Sequence, residues 1–422
     1  MNPDDSQSIH RKVRLQYEQY PYPDIDPQQD RPGLLVSGHL ELMCDIVWAG
    51  KKRPDRLKVL DAGCGTGGPL VAMALQYPQT DIVGIDFSAA SIDKARRLAA
   101  RHNVKNVTLH RQSIESVSEL GMTFDFIVSS GVIHHLEDPA AGLRELSRVL
   151  DPQGAISIML YGKYGRIGVN MLQEAMRLLA PGVDTMDRRI DLARRLALNV
   201  SPDHPFAPRL KGREISEGKA SGIVDLLLHQ NDIPFDVPAI FKLCDDAGMS
   251  FSRWLFPVMY DPAQYSDDTE LLDAARGLDK PEQYALAELL SGNNPKHSFF
   301  AVRPEFSPPA IDLSSGKWRD LYIWLTPCMA WNRMNRHPET NRFQVPVAVI
   351  QDTLKPYELE EWELMFLSRS DPAVPLGDTA KLEEVRRLMP FETDSQVNDG
   401  VEKLLRRSQE TLAVVALEEP KK

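Results

Sequence analysis

The stretch "DAGCGTGG", Asp61 to Gly68, sets one carboxylate ahead of four closely spaced glycines. Glycine lets backbone amides approach a ligand closely and tolerates unusual φ, and a helix start beyond the loop favours acceptor groups. Asp86 ends the next apolar run, "DIVGIDFS", where a carboxylate can accept hydrogen bonds from two ribose hydroxyls. Two patterns fit the glycines. Gly63, Gly65 and Gly68 satisfy G-x-G-x-x-G, a dinucleotide fingerprint. Asp61, Gly63, Gly65 and Gly67 satisfy D-x-G-x-G-x-G instead. Asp61 separates the two readings, because a carboxylate there repels a pyrophosphate and attracts an ammonium.

Other residues offer proton chemistry. His134 and His135 are adjacent in "SSGVIHHLEDP", after a predicted strand. His229 stands in "DLLLHQNDIPFDVP" with Asp225 and Asp232 near it, the pattern of a base whose pKa acids raise. Asp232 also reads as a helix cap or turn residue. Tyr161 ends another strand. Near the amino terminus "YEQYPYP" groups Tyr17, Tyr20 and Tyr22, with prolines that hold Tyr20 and Tyr22 extended. Such tyrosines suit a lid that closes over a site and excludes water.

Alternating strands and helices must position these groups. "LKVLDAGCGTGG", "DIVGIDFS", "NVTLHRQ", "FDFIVSSGVI" and "AISIMLYG" read as strands one to five. Helices fall between them, including "SAASIDKARRLAARH" with Ser88 as N-cap and Ile92, Ala95, Leu98 and Ala99 on one face, and "AAGLRELSRVL", ended by "DPQG". This alternation predicts a parallel sheet covered on both faces. A helical insertion follows, then strand six in "PAIFKLCDDAGMSFSRWLFP" and strand seven in "HSFFAVRP". The expected fold is α/β: a Rossmann-like, doubly wound seven-stranded sheet, with a helical insertion between strands five and six. The expected domains are residues 1–50 (lid), 51–162 with 240–303 (sheet), 163–239 (insertion) and 304–422. The last is read as a small, mostly helical, winged-helix-like domain beyond "PEFSPPAIDL". Its Trp318, Trp324 and Trp331 have spacings that suit one helix face packed into a core.

The D-x-G-x-G-x-G loop, Asp86, "SSGVIHHLEDP" and "LRELSRVLDPQGAISIM" resemble the motifs of class I S-adenosylmethionine-dependent methyltransferases of bacterial type. The resemblance runs over roughly residues 55–162 and 240–303. It implies S-adenosylmethionine as cofactor and an antiparallel seventh strand. It implies a cofactor site made by Asp61, Gly63, Cys64, Gly65, Thr66, Gly67, Asp86, Phe87, Ser113, Ile114, Ser130 and Gly131, with Tyr17, Tyr20 and Tyr22 closing it. One departure stands out: the family's usual Asp after strand three is replaced by Ser113, with Glu115 two residues on, which predicts weaker adenine recognition. His134, His135, His229 and Tyr161 are the catalytic candidates. The rival readings are an NAD-dependent oxidoreductase and a non-catalytic regulatory protein that retains the fold.

Composition narrows the partners. A chain of 422 residues with net charge −11 does not fit a nucleic-acid backbone as partner. Four cysteines without a C-x-x-C pair fit a reducing compartment and no zinc site, so no metal is expected. The opening "MNPDDSQSIHRKVRLQ" has no apolar signal core, and no apolar run is long enough for a membrane span. The expectation is a cytoplasmic enzyme acting on an unidentified small molecule or protein side chain, with a homodimer possible.

Overall fold

The computed structural model describes residues 3–24, 26, 28, 32–183, 185–212, 215, 218–326, 328–329, 331–346, 354–410 and 414–418. The chain divides into two compact units. The first comprises Met1–His39, Pro54–Trp254 and Ser291–Phe306. The second comprises Leu40–Arg53, Leu255–Leu290 and Ser307–Lys422, so it draws on stretches well before the proline-rich link as well as on the tail.

The first unit is built on a seven-stranded sheet. Its strands are β1 (Lys58–Ala62), β2 (Asp81–Asp86), β3 (Val107–Arg111), β4 (Phe124–Ser130), β5 (Leu150–Tyr161), β6 (Ser250–Trp254) and β7 (Lys296–Val302). Their spatial order is β3-β2-β1-β4-β5-β7-β6. β1 to β5 run parallel, and β7 lies antiparallel to both β5 and β6. This order departs from the all-parallel dinucleotide fold on which the oxidoreductase reading rested. Central strands such as β4 and β5 are apolar along most of their length because both faces are covered.

The covering helices are α1 (Pro3–Gln19), α3 (Gly68–Gln76), α4 (Ala89–Arg101) and α5 (Pro139–Arg148), with α2 (Leu40–Trp48) in the second unit. Ser88 caps α4 by accepting the Ser91 amide, and Ile92, Ala95 and Leu98 face inward. The insertion contains α6 (Ile167–Leu179), α7 (Met186–Leu198) and α8 (Ala220–Leu227), before α9 (Val237–Asp246) leads into β6. Its own core includes Val169, Phe206, Ile223 and Leu227.

Two expectations of local structure are overturned. "DPQG" does not separate α5 from its strand: β5 begins at Leu150, which pairs with Phe124. The ladder shifts register between Phe124 and Phe126, so the turn-forming residues are absorbed as an irregularity inside the strand. In the second unit the tryptophans do not share a helix. Trp324 lies in β8 (Tyr322–Leu325), which pairs antiparallel with β12 (Val414–Leu417). Its indole N–H donates to Asp45 Oδ2 at 2.8 Å. Trp318 is fully buried in the unit's core with Phe366, Leu404 and Leu405, while Trp331 packs at its edge. Three more short strands, β9 (Asn335–Arg336), β10 (Phe343–Val345) and β11 (Tyr357–Leu359), form a second antiparallel sheet that sequence periodicity did not reveal.

Candidate active site

The glycine loop follows β1. Gly63 has φ +89°, and a Cβ there would fall 2.4 Å from the Val132 side chain. Gly67, the N-cap of α3, has φ +83°, and a Cβ there would strike Ala95. Both positions are therefore closed to other residues. Gly63 and Cys64 donate their amides to the Ile85 carbonyl, which ties the loop to β2. Asp86 completes the tie: its carboxylate accepts the amides of Gly65 at 3.0 Å and Ser88 at 2.9 Å.

Two carboxyls here are uncomfortable. Burial, then repulsion from Asp86, raises the Asp61 pKa to about 7. Burial raises Asp86 to about 6 despite its amide bonds. Paired acids held this way favour a positively charged guest. Across the sheet top, Gly131 has φ +78° and donates its amide to the Met159 carbonyl just after Ser130. Ser113 caps a short 3₁₀ turn, accepting the Glu115 amide and donating to the Glu115 carboxylate at 3.2 Å, while Ile114 is buried.

The amino-terminal segment lies on this loop. A Cβ on Gly65 would lie 3.0 Å from the Tyr22 carbonyl oxygen, and the buried Thr66 hydroxyl donates to the Pro23 carbonyl at 2.8 Å. Ser88 Oγ donates to the Tyr17 carbonyl. Glu18 accepts the Ala89 and Ala90 amides at the start of α4, and these bonds hold its pKa low against burial. Tyr20 is half-buried. Sequence reading missed Glu18, because a cap contributed from a remote helix leaves no local pattern.

Tyr17 joins the loop to a second cluster. Its ring is 6.1 Å from Phe87 and 5.7 Å from His229. Its hydroxyl lies 2.9 Å from Asp225 Oδ1 and 3.1 Å from His229 Nε2. His229 is stacked on His135 at 3.8 Å, and His134 packs 4.1 Å from both His135 and Tyr161. The structure thus brings Tyr17, His134, His135, Tyr161 and His229 together.

The two adjacent histidines differ. His134 is fully buried, and neither ring nitrogen meets a polar partner among the described residues. His135 Nδ1 sits 2.8 Å from the Asn231 carbonyl. Burial lowers the pKa of all three histidines, so their rings are neutral near pH 7. For His229 this reverses the expectation of raised basicity: desolvation comes first, and His135 adds to it. Tyr17 and Tyr161 are pushed well above the usual phenol range, chiefly by burial and then by Asp225.

Asp232 is not a cap. Its carboxylate pairs with Arg166 at 3.0 Å, both side chains buried, and accepts a bond from Gln173. The cap of α9 is Asp236. The Arg166 guanidinium also stacks on the Tyr161 ring, 3.6 Å from its centre. The residues missed here are Arg166 and Asn231, which no spacing rule connects to positions 135 and 161.

His135, Asp225 and His229 bring one potential ligand atom each within 4.8 Å of one another. Their arrangement suits hydrogen bonding better than an ion. His135 Nδ1, both His229 ring nitrogens and Asp225 Oδ1 already meet hydrogen-bonding partners. His229 Nδ1 accepts the Asn231 amide at 3.0 Å, so the neutral ring carries its proton on Nε2.

Fold and site point to one class: residues 54–180 carry a methyltransferase domain, on the sheet order of the class I S-adenosylmethionine-dependent enzymes. Residues 54–180 match the family model described as "Methyltransferase domain". An uncharacterised protein of Synechococcus sp. is 29% identical over 308 residues, 70% of this chain and 72% of that one. The tRNA 5-carboxymethoxyuridine methyltransferase of Escherichia coli is 30% identical over 157 residues, 37% of this chain; the match spans 56% of that enzyme's length. The fold is similar to that of PKMT2 from Rickettsia typhi in complex with AdoHcy, with TM-score 0.66, 16% identity and coverage of 93% of this chain and 78% of that one. Among the described residues no helix is long and apolar enough to cross a membrane.

Proposed function

We propose that the enzyme methylates an amino nitrogen carried by a protein side chain. The observation that carries this reading is the lining of the second cluster. It consists of neutral imidazoles, two un-ionised phenols and buried acids, and its cation, Arg166, is committed to Asp232 and Tyr161. An anionic acceptor finds no free positive group there, whereas aromatic faces and carboxylates suit an amine. The chain's net charge of −11 speaks against an RNA acceptor. Four buried cysteines outside any disulfide fit a cytoplasmic setting.

When bound, S-adenosylmethionine supplies an electrophilic methyl group on a sulfonium. Asp61 would hold the cofactor's ammonium and Asp86 its ribose. Gly63, Cys64, Gly65, Thr66, Gly67, Ser130 and Gly131 would shape the cradle, and Phe87, Ser113 and Ile114 would meet the adenine end. The segment with Tyr17, Tyr20 and Tyr22 acts as a lid that excludes water. His135 takes the proton from the arriving ammonium, and Tyr161 and His134 form the wall behind it. His229 acts through Tyr17.

The test is mass spectrometry of cell extracts incubated with the enzyme and labelled S-adenosylmethionine. A methyl gain on protein amino groups supports the reading. Label confined to small amines moves the acceptor to that class, and label on RNA or on carboxylates overturns the proposal.

A further inference from the structure

Asn231 touches both imidazoles of the cluster, through different atoms. Its backbone carbonyl faces His135 Nδ1 at 2.8 Å, and its backbone amide faces His229 Nδ1 at 3.0 Å. Its side-chain amide donates to the carbonyls of His135 at 3.2 Å and Leu136 at 2.9 Å. The neighbouring Ile233 amide donates to the His134 carbonyl. One residue of the insertion is thereby pinned across the loop that carries the histidines.

A carbonyl only accepts and an amide N–H only donates, so these contacts decide where each neutral ring keeps its proton. His135 holds it on Nδ1 and offers a bare Nε2. His229 keeps Nδ1 bare and holds its proton on Nε2, which points to the Tyr17 oxygen. The Tyr17 hydroxyl must then donate to Asp225. We propose that Asn231 is a positioning residue that fixes His135 and His229 in opposite tautomers. His135 Nε2 is thereby the proton acceptor of the site, and the His229–Tyr17–Asp225 chain runs in one direction.

This rests on the methyl-transfer reading only for the word acceptor; the tautomers themselves are independent of it. The groups that face His135 are His134 on its own loop, Tyr161 from β5, Tyr17 from α1, and Arg166, His229 and Asp232 from the insertion. None of these meets Nδ1 at hydrogen-bonding distance, Asp232 lying 4.0 Å away; among the described residues the Asn231 carbonyl does.

The experiment uses the full chain with nitrogen-labelled histidine and a long-range proton–nitrogen correlation spectrum at neutral pH. His135→Gln and His229→Gln assign the signals. The wild-type spectrum is expected to show His135 protonated on Nδ1 and His229 on Nε2. In Asn231→Ala the backbone partners remain but the side-chain anchors are lost, so both rings are expected to move toward averaged tautomers. The acidic limb of the methylation pH profile shifts with them, while cofactor affinity stays unchanged. A wild-type His135 protonated on Nε2 overturns the proposal, as does a folded Asn231→Ala with both tautomers intact. If that variant does not fold, the wild-type spectrum decides alone. Opposite tautomers together with methylation of a non-amine acceptor would keep the positioning role and remove the amine reading.

Discussion

The proposed cofactor end of the site centres on one short stretch, Asp61 to Ser88, with Ser113, Ile114, Ser130 and Gly131 beside it, whereas the proposed acceptor end draws on positions 17, 135, 161, 225, 229 and 231. The first is held by backbone amides that bond a carboxylate or a neighbouring strand. The second is held by side chains that arrive from a terminal helix, a strand loop and an insertion. A site built from one βαβ unit binds whatever suits that unit; a site pinned together from remote pieces can change its acceptor without disturbing the cofactor. If that division is real, substitutions at the two ends should separate cleanly.

The largest expected effect is at the acceptor end. His135→Gln should lower the methyl-transfer rate about 100- to 10,000-fold, the range for a general base, with cofactor affinity by calorimetry unchanged. A parallel loss of cofactor binding would break the division. Next comes Asp86→Ala, which removes the acceptor for the Gly65 and Ser88 amides. It should weaken cofactor binding by about 2–3 kcal/mol, the scale for hydrogen bonds to a charged group, while the protein stays folded. An unchanged dissociation constant would place the ribose elsewhere.

A third effect depends on pH. The cofactor's ammonium favours the ionised form of Asp61, whose pKa in the free protein is about 7. Affinity should therefore be full above that value and fall as pH drops through it, by about tenfold per unit. Stability of the cofactor-free protein should move the other way. A carboxyl whose folded pKa exceeds its ordinary value contributes stability that is fully present at acid pH and is lost as pH rises from about 4 to about 7. Calorimetric titrations and melting curves across pH 5–8 measure both, and affinity flat over that range would remove Asp61 from the ammonium site. The smallest effect is Ser88→Ala, which deletes the α4 cap and the bond to the Tyr17 carbonyl. A loss of about 1 kcal/mol in unfolding free energy is expected, with turnover nearly kept.

Legibility in the sequence followed the same line. The sheet and the glycine loop were readable because short apolar runs, Asp61 and Asp86 sit at fixed local spacings, while the antiparallel last strand was implied by the resemblance to class I methyltransferases. Tyr17, His135 and His229 could be picked out as reactive types, yet nothing in their spacing says that Tyr17 bonds His229. Asp232 looked like a turn residue because its partners, Arg166 and Gln173, lie far back in the insertion. The tryptophans of the second unit misled for another reason: a spacing that fits a helix face does not exclude a strand that pairs with a remote partner, as β8 does with β12. Periodicity reports a face, and here tertiary pairing decided the element.

The bond from Tyr17 to Asp225 joins residues 208 apart in the chain, and that to His229 joins residues 212 apart. Chains emerge from the ribosome amino end first, at about 5–20 residues per second. Helix α1 is therefore made well before its partners exist. The glycine loop proposed to hold the cofactor can close early, but the face proposed to receive the acceptor has to wait for the insertion to be translated. β7, which lies between β5 and β6, comes later still. A nascent chain of this protein would be able to grip its cofactor before it had any means of spending the methyl group.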